Sequence, residues 1–260
     1  MKYFTLFIFL LIPSAMAGYI SITTFVDVDF VRDNNASINV TIKNSGTDEA
    51  RNVKVSLISD QFKMSIEDIG TIYPNSEKSL RSTVFVENIK KGSYIAAVKV
   101  EYSDQSGKKF SAITPVTIVY KEPSLSRVII DIEKIKIEEQ SSSSAKVKIK
   151  NNDFYEKNIN VKIFLPMEFS VYPLEINENI QPGKETTKKF LIRNMEGIDG
   201  SEYAIFAAVN YDDENYHYSQ YKISTLEVVS KKAINLPILM AIFLLLLTLT
   251  ISYLSKKKKK

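Results

Sequence analysis

The 260-residue chain has no cysteine, no tryptophan, a single histidine (His217) and only eight glycines. Without cysteine there is no thiol catalysis, no iron–sulfur cluster and no cysteine zinc site, and stability rests on packed cores rather than disulfides. The same lack, together with the missing tryptophan core pin, argues against an antibody-type domain. One histidine cannot build a multi-histidine metal site, and no serine elbow or aspartate partner stands out around it by spacing. The glycines are scattered at turns and form no phosphate-binding loop.

Charge of one sign is also missing from the body of the chain. The formal net charge is +4, but Lys2 and the run Lys256 to Lys260 supply six of the 34 basic residues. What remains is 28 basic against 30 acidic, which makes a nucleic-acid partner an unattractive reading. No cofactor is expected.

What is present begins at the two ends. Lys2 precedes an apolar stretch from Tyr3 to Ile12, then Ala15-Met16-Ala17 provides small residues at the offsets of a cleavage site. Residues 1–17 are read as a signal peptide; the competing reading is an uncleaved anchor. At the other end, residues 233–254 carry no charge and are followed by a lysine tail over 255–260. About 21 helical residues span roughly 32 Å, a bilayer core, and lysines mark the cytoplasmic side. Asn235-Leu236-Pro237-Ile238-Leu239 lacks the Thr-Gly of a sortase signal, so permanent anchoring is favoured. The expectation is a single-pass type I cell-membrane protein with an extracellular ectodomain. Richness in Ile, Lys and Asn suits an AT-rich prokaryotic genome, and this topology suits an archaeon or a Gram-positive bacterium.

Between the ends, apolar residues alternate with period two. Ile38, Val40 and Ile42 interleave with Asn39 and Thr41, and Val53, Val55 and Leu57 with Lys54 and Ser56. Turn clusters such as Asn44-Ser45-Gly46 and Tyr73-Pro74-Asn75-Ser76 separate them. About seven short strands over 18–120 predict a sandwich. The pattern then repeats. Ile42-Lys43-Asn44 returns as Ile149-Lys150-Asn151, Asn52-Val53-Lys54-Val55 as Asn160-Val161-Lys162-Ile163, and Val100-Glu101-Tyr102 as Val209-Asn210-Tyr211, at offsets of 107 to 109. Constant spacing of ordered matches marks a tandem duplication. The expected fold is all-β: two tandem Ig-like β-sandwiches, 18–120 and 127–230, joined by a Pro-stiffened linker, 121–126, and followed by one C-terminal transmembrane helix. A short stiff linker predicts domains set end to end, with the tip about 70 Å from the membrane at about 3.3 Å per strand residue. Ser141 to Ser144 is expected to be a loop.

The string from Ile38 to Val55, with Asn44-Ser45-Gly46 and Ala50-Arg51-Asn52-Val53, resembles the opening of CARDB domains, the cell-adhesion-related modules of prokaryotic surface proteins and S-layer-like archaeal proteins. The later Pro74 turn, Gly92-Ser93-Tyr94 and Tyr102 with Asp104 are similar to that pattern. The second half departs from it at Asn151-Asn152-Asp153 and Glu156-Lys157. The resemblance implies an Ig-like sandwich and surface interaction, and it names no site.

Candidate residues are few. Tyr211, Tyr216, Tyr218 and Tyr221 cluster around a hairpin and offer flat apolar area with hydroxyls, a surface for protein or sugar; the bland reading is that they cover the core. On strand periodicity Tyr216 and Tyr218 share one face, and His217 and Tyr221 the other. Asp212-Asp213-Glu214-Asn215 reads as a solvated turn, with calcium as the sharper alternative. Asn35-Ala36-Ser37 and Asn39-Val40-Thr41 are glycosylation sequons, so Asn35 and Asn39 are possible glycan sites, with Asn39 facing out. The functional expectation is a non-catalytic surface interaction protein whose partner is an envelope or membrane protein, or a carbohydrate. The alternative is an accessory subunit docked on a transporter or secretion complex; an enzyme or metal-dependent sensor rests only on the acidic hairpin.

Overall fold

The computed structural model describes residues 18–87 and 89–230. The expected signal peptide, transmembrane helix and lysine tail lie outside the described residues. Those residues form strands and loops without a helix, so none among them is a helix long and apolar enough to cross a membrane.

The first half contains β1 (Ile22–Val28), β2 (Asn35–Asn44), β3 (Ala50–Ile58), β4 (Phe62–Lys63), β5 (Glu67–Ile72), β6 (Ser76–Val86), β7 (Lys91–Ser103) and β8 (Lys109–Tyr120). The second contains β9 (Val128–Ile132), β10 (Ile135–Glu138), β11 (Ser142–Asn151), β12 (Lys157–Phe164), β13 (Phe169–Tyr172), β14 (Glu175–Ile180), β15 (Glu185–Asn194), β16 (Glu202–Asp212) and β17 (Tyr216–Val229). One outer sheet of each half runs β1-β2-β6-β4 or β9-β11-β15-β13. The facing sheet runs β5-β3-β7-β8 or β14-β12-β16-β17, with β10 added in parallel to β17. The halves share one topology, as the repeat predicts. Ser142 to Ser144 belong to β11 rather than to a loop, with Ser144 opposite Leu191.

Each sandwich closes over its own core, as alternation demands. Ile38, Val40, Ile42, Val53, Val55, Val98 and Val100 meet in the first, and Val147, Ile149, Val161, Ile163, Phe190 and Val209 in the second. The repeated asparagine pins each one. Asn44 is fully buried; its Nδ2 donates to the carbonyls of Asp48 (2.7 Å) and Ile72 (3.2 Å), and its Oδ1 accepts from the Gly46 amide (3.0 Å). Asn151 does the same with Tyr155 (2.8 Å), Ile180 (2.9 Å) and the Asp153 amide (2.9 Å). The Asn-x-Gly and Asn-x-Asp versions of the motif are therefore one device: an amide on the outer sheet that ties its turn to a strand of the facing sheet.

The end-to-end arrangement is not what the chain adopts. β7 and β17 meet as a parallel pair, Lys91 with Tyr216 and Gly92 with His217, which fuses the two facing sheets into one of nine strands. The repeat counterpart of β7 is β16, and β16 runs antiparallel to β17. The linker is thus a U-turn, and the second sandwich lies inverted beside the first. The reason is apolar surface. Ile95, Ala97 and Ile113 of the first half are buried against Phe206 and Ala208 of the second, with Phe164 and Tyr221 at their margin. Burying a large apolar side chain contributes about 1.5–3 kcal/mol, and an extended pair would leave these exposed. The folded-back block is about as tall as its longest strand, roughly 45 Å at 3.3 Å per residue.

Candidate functional site at the junction of the sandwiches

The junction is fastened at two places. At the linker end, β7 approaches β17 so closely that a Cβ on Gly92 (φ 144°) would lie 2.0 Å from the His217 carbonyl oxygen. Only glycine fits there. The Ser124 hydroxyl donates to that same oxygen (2.5 Å), and Ser93 and Ser124 exchange backbone-to-hydroxyl bonds of 2.9 and 3.0 Å. The His217 imidazole stacks on the Tyr94 ring, centroids 3.9 Å apart and planes within 6°. Tyr94 donates its hydroxyl to the Lys90 carbonyl (2.6 Å), and burial, then the nearby Asp212 carboxylate, pushes its ionisation up. At the far end, the buried Glu168 carboxylate accepts from the Ser111 amide (3.1 Å) and hydroxyl (3.3 Å), while the Met167 amide donates to the Ser111 oxygen (2.7 Å). Burial raises the Glu168 pKa.

His217 is 8% exposed, so the reading of a strand-packing histidine holds, with one addition: what it packs against is the other sandwich. Its Nδ1 lies 2.6 Å from Asp212 Oδ1 and its Nε2 2.9 Å from Ser219 Oγ, which in turn is 2.7 Å from Asn210 Oδ1. Burial lowers the imidazole pKa, against the opposing pull of Asp212. Asp212, His217 and Ser219 form an Asp–His–Ser line of the kind that activates a nucleophile. Here the Tyr94 ring covers the imidazole and Ser219 is 8% exposed. The single Ser219 proton has to serve His217 or Asn210, and Asp212 and His217 also line a cleft between the two halves.

The four tyrosines do not share one face. Tyr211 is buried in the second core, its hydroxyl accepting from the Arg127 amide (3.1 Å). Tyr218 stacks on it at 4.9 Å and donates to Asp213 Oδ2 (2.7 Å); burial, then that bond, pushes its pKa up to about 12. Tyr216 bonds Glu122 of the linker (2.6 Å) under the Lys91 ammonium. Tyr221 points the other way, with His217, onto Phe206 at the junction. Asp213 is occupied by the turn itself, accepting from the Asn215 (2.9 Å) and Tyr216 (2.7 Å) amides. Among the described residues no three carboxylates or histidines gather as a metal-binding group. Asn35 and Asn39 are both exposed on the outer sheet, as the alternation predicts.

Beside the apolar contact, β12 and β14 form one wall of a cleft of about 810 Å³. Its walls include Ile58, Asp60 and Ile95 from one half and Asn158, Asn160, Lys162, Phe164, Glu175, Asn177 and Asn179 from the other. The asparagines face each other across the two strands, Asn160 Nδ2 to Asn177 Oδ1 (2.9 Å) and Asn179 Nδ2 to Asn158 Oδ1 (3.0 Å). Lys162 pairs with Asp60 across the cleft and with Glu175 (3.2 Å). Hydrogen bonds from Asn160 and then Lys162 hold Glu175 below the usual carboxylate range. Sequence reasoning missed both cleft and junction. The signal was there: Tyr94 to Val98 and Ile205 to Val209 are unbroken apolar runs, the mark of strands buried on both faces.

Two Ig-like sandwiches of one topology, fused through their facing sheets, define a tandem β-sandwich protein. Residues 20–105 match the CARDB family model, and the chain carries a CARDB domain there. No curated protein matches the chain. Among solved structures it is similar to the native conformation of Escherichia coli alpha-2-macroglobulin, at 10% identity over 80% of this chain and 17% of that one, TM-score 0.31. It is also similar to a protein of unknown function from Porphyromonas gingivalis W83 (13% identity, 78% of this chain and 99% of that one, TM-score 0.34). A third likeness is to the E. coli chaperone DraB (13%, 43% of this chain and 59% of that one, TM-score 0.31). The chain thus spans a small part of the alpha-2-macroglobulin's length.

Proposed function

We propose that this chain is a membrane-anchored cell-surface interaction protein, acting without catalysis through its paired sandwiches in adhesion, S-layer association or other envelope contact. The observation that carries this reading is the junction. A duplicated module locked to its own copy, with an open cleft where the two faces diverge, is a recognition block whose chemistry is all in side-chain contact. The Asp212–His217–Ser219 line, with Tyr94 stacked over the imidazole and Ser219 buried, supports a non-catalytic role. The apolar segment over 233–254 and the lysines after it support the anchor.

A second reading has its own support. Gly18 lines a shared recess with Asp104, Ser201 and Glu202, and Ser201 bonds Val228 (3.0 Å) near the last described residue, Ser230. The described chain therefore starts and ends on one side of a block about 45 Å tall, which would lie low on a bilayer and suit an accessory subunit of a membrane complex. Crosslinking on intact cells of the native host, followed by pulldown of the full chain, tests both. Recovery of an S-layer or wall component supports the envelope role, and a polytopic membrane protein supports the subunit. Recovery of the chain from the soluble fraction with neither would sink both readings.

A further inference from the structure

We propose that the cleft between the sandwiches is a binding site for a neutral oligosaccharide. This rests on the surface-interaction reading and assigns that interaction a place and a ligand class. The volume, about 810 Å³, falls in the range of ligand pockets, roughly 300–1,000 Å³. The chemistry of the wall then selects the occupant.

Charge comes first. Lys162 sits between Asp60 and Glu175, and Asp212 faces His217 (2.6 Å) and Lys90 (3.5 Å). Glu178, also in the lining, pairs with Lys188 (2.8 Å), so four carboxylates are met by three lysines, of which only Lys162 lines the cleft; an acidic ligand would meet like charge there. Hydrogen-bonding capacity comes second. An asparagine offers two N–H donors and a carbonyl with two lone pairs. In the two cross-strand pairs, Asn160 and Asn179 donate while Asn177 and Asn158 accept. The amide nitrogens of Asn158 and Asn177 donate to no acceptor among the described residues, and both side chains are exposed. The orientations are fixed by further bonds: Asn179 Oδ1 accepts from Gln181 Nε2 (3.2 Å), and Asn160 also bonds the Glu175 carboxylate. A row of neutral groups, each able to give and accept, complements a row of hydroxyls.

The apolar part comes third. Ile58, Ile95 and the half-exposed Phe164 line the same space. Sugar rings carry apolar C–H faces beside their hydroxyl edges and match such a mixed lining. A peptide strand would bind through backbone bonds. β12 is already paired on both sides, with β14 and β16, so it offers the cleft only side chains. That row of side chains favours the glycan; a peptide strand would instead take the free backbone edge of β14.

The test is binding of the full chain in nanodiscs to an array of neutral and acidic glycans, followed by calorimetric titration with the neutral glycan that binds best. Two variants are compared: Asn158→Ala with Asn177→Ala, which removes the free donors, and Asn177→Asp with Asn179→Asp, which keeps the volume and adds charge. These side chains are exposed, and circular dichroism with the melting temperature checks that each variant folds. The proposal expects neutral glycans to bind and both variants to weaken binding at least tenfold. Absence of binding across the array, binding of acidic glycans alone, or binding unchanged in the variants overturns it. Any of those results leaves the crosslinking experiment free to support the interaction reading by itself.

Discussion

Tyr94 of the first sandwich and His217 of the second lie ring on ring, 3.9 Å between centroids, and the chain's single histidine is spent on this contact. A stacked pair contributes about 0.5–1.5 kcal/mol beyond its buried area. His217→Ala also strands Asp212 and Ser219, each of which loses a bond. Its expected cost is about 2–4 kcal/mol, and it falls on the coupling between halves more than on either core. Calorimetry should show one unfolding transition becoming two. Tyr94→Phe keeps the stack and loses only the bond to the Lys90 carbonyl, so it should cost about 1 kcal/mol and leave one transition. A single, unshifted transition in His217→Ala would show that the stack does not couple the halves.

The two fasteners respond to pH in opposite senses. Burial lowers the His217 pKa, so the unfolded chain takes up a proton near pH 6.5 that the folded chain still refuses. Stability is full above that pH and is lost as pH falls from about 6.5 through the folded value. The Lys90 ammonium adds to the lowering, and Asp212 opposes it. At Glu168 burial raises the pKa above 4.5, so the folded chain holds its proton longer, and stability falls as pH rises through that raised value. The His217 contribution should therefore lower urea midpoints between pH 7 and pH 5.5, against the opposite contribution of Glu168. That drop should shrink in His217→Phe, which keeps a ring against Tyr94 and cannot titrate. An equal drop in the variant would place the titration elsewhere. Glu168→Gln should raise the melting temperature by about 2–4 °C at pH 7, with the gain fading near pH 4.

Gly92 tests the close approach directly. A methyl there would sit 2.0 Å from a carbonyl that also accepts from Ser124, on a backbone that side chains rarely adopt. Gly92→Ala should cost more than about 3 kcal/mol, or part the sandwiches at the linker end. Gly107→Ala is the control: its φ is 85°, but nothing lies within 4 Å, so only backbone strain of about 1 kcal/mol remains. Similar losses in the two variants, read by chemical denaturation, would mean that the contact with His217 is not what demands glycine.

Much of this was legible before the structure. Alternation around Ile38 to Ile42 and its return at Val147 and Ile149 gave the strands, and the constant offset gave the two sandwiches. The arrangement of the halves was not legible in the same way, because a short linker with a proline reads as a spacer until the surface it must bury is counted. Ile95 and Ala97 on β7, and Phe206 and Ala208 on β16, stand at the positions that should face water in a lone sandwich. Their unbroken apolar runs were the only trace of the partner face. The tyrosines misled for a related reason: aromatic clustering marks a surface only when no core or second domain claims the rings. The cleft was invisible because its walls, Asp60 and Lys162 for example, stand far apart in sequence and meet only after the fold-back.

The asparagine pins carry the last prediction. Asn44 and Asn151 are completely buried; each amide donates to two carbonyls and accepts from the turn's backbone N–H, and Asn44 accepts from Ser21 as well (3.4 Å). A buried polar group left unpaired costs about 1–3 kcal/mol, so Asn44→Ala, which orphans several, should cost about 3–5 kcal/mol. Asn44→Asp should be no better at neutral pH. A carboxylate can still accept from Gly46, but it turns two donors into acceptors that face the carbonyls of Asp48 and Ile72. If the motif serves the turn alone, aspartate, itself a good turn residue, should restore stability. If it serves the tie between the two sheets, only the amide will do. Equilibrium urea unfolding of the two variants decides between these. The same pair of substitutions at Asn151 should reproduce the result in the second sandwich, where the turn sequence differs and the bonds do not.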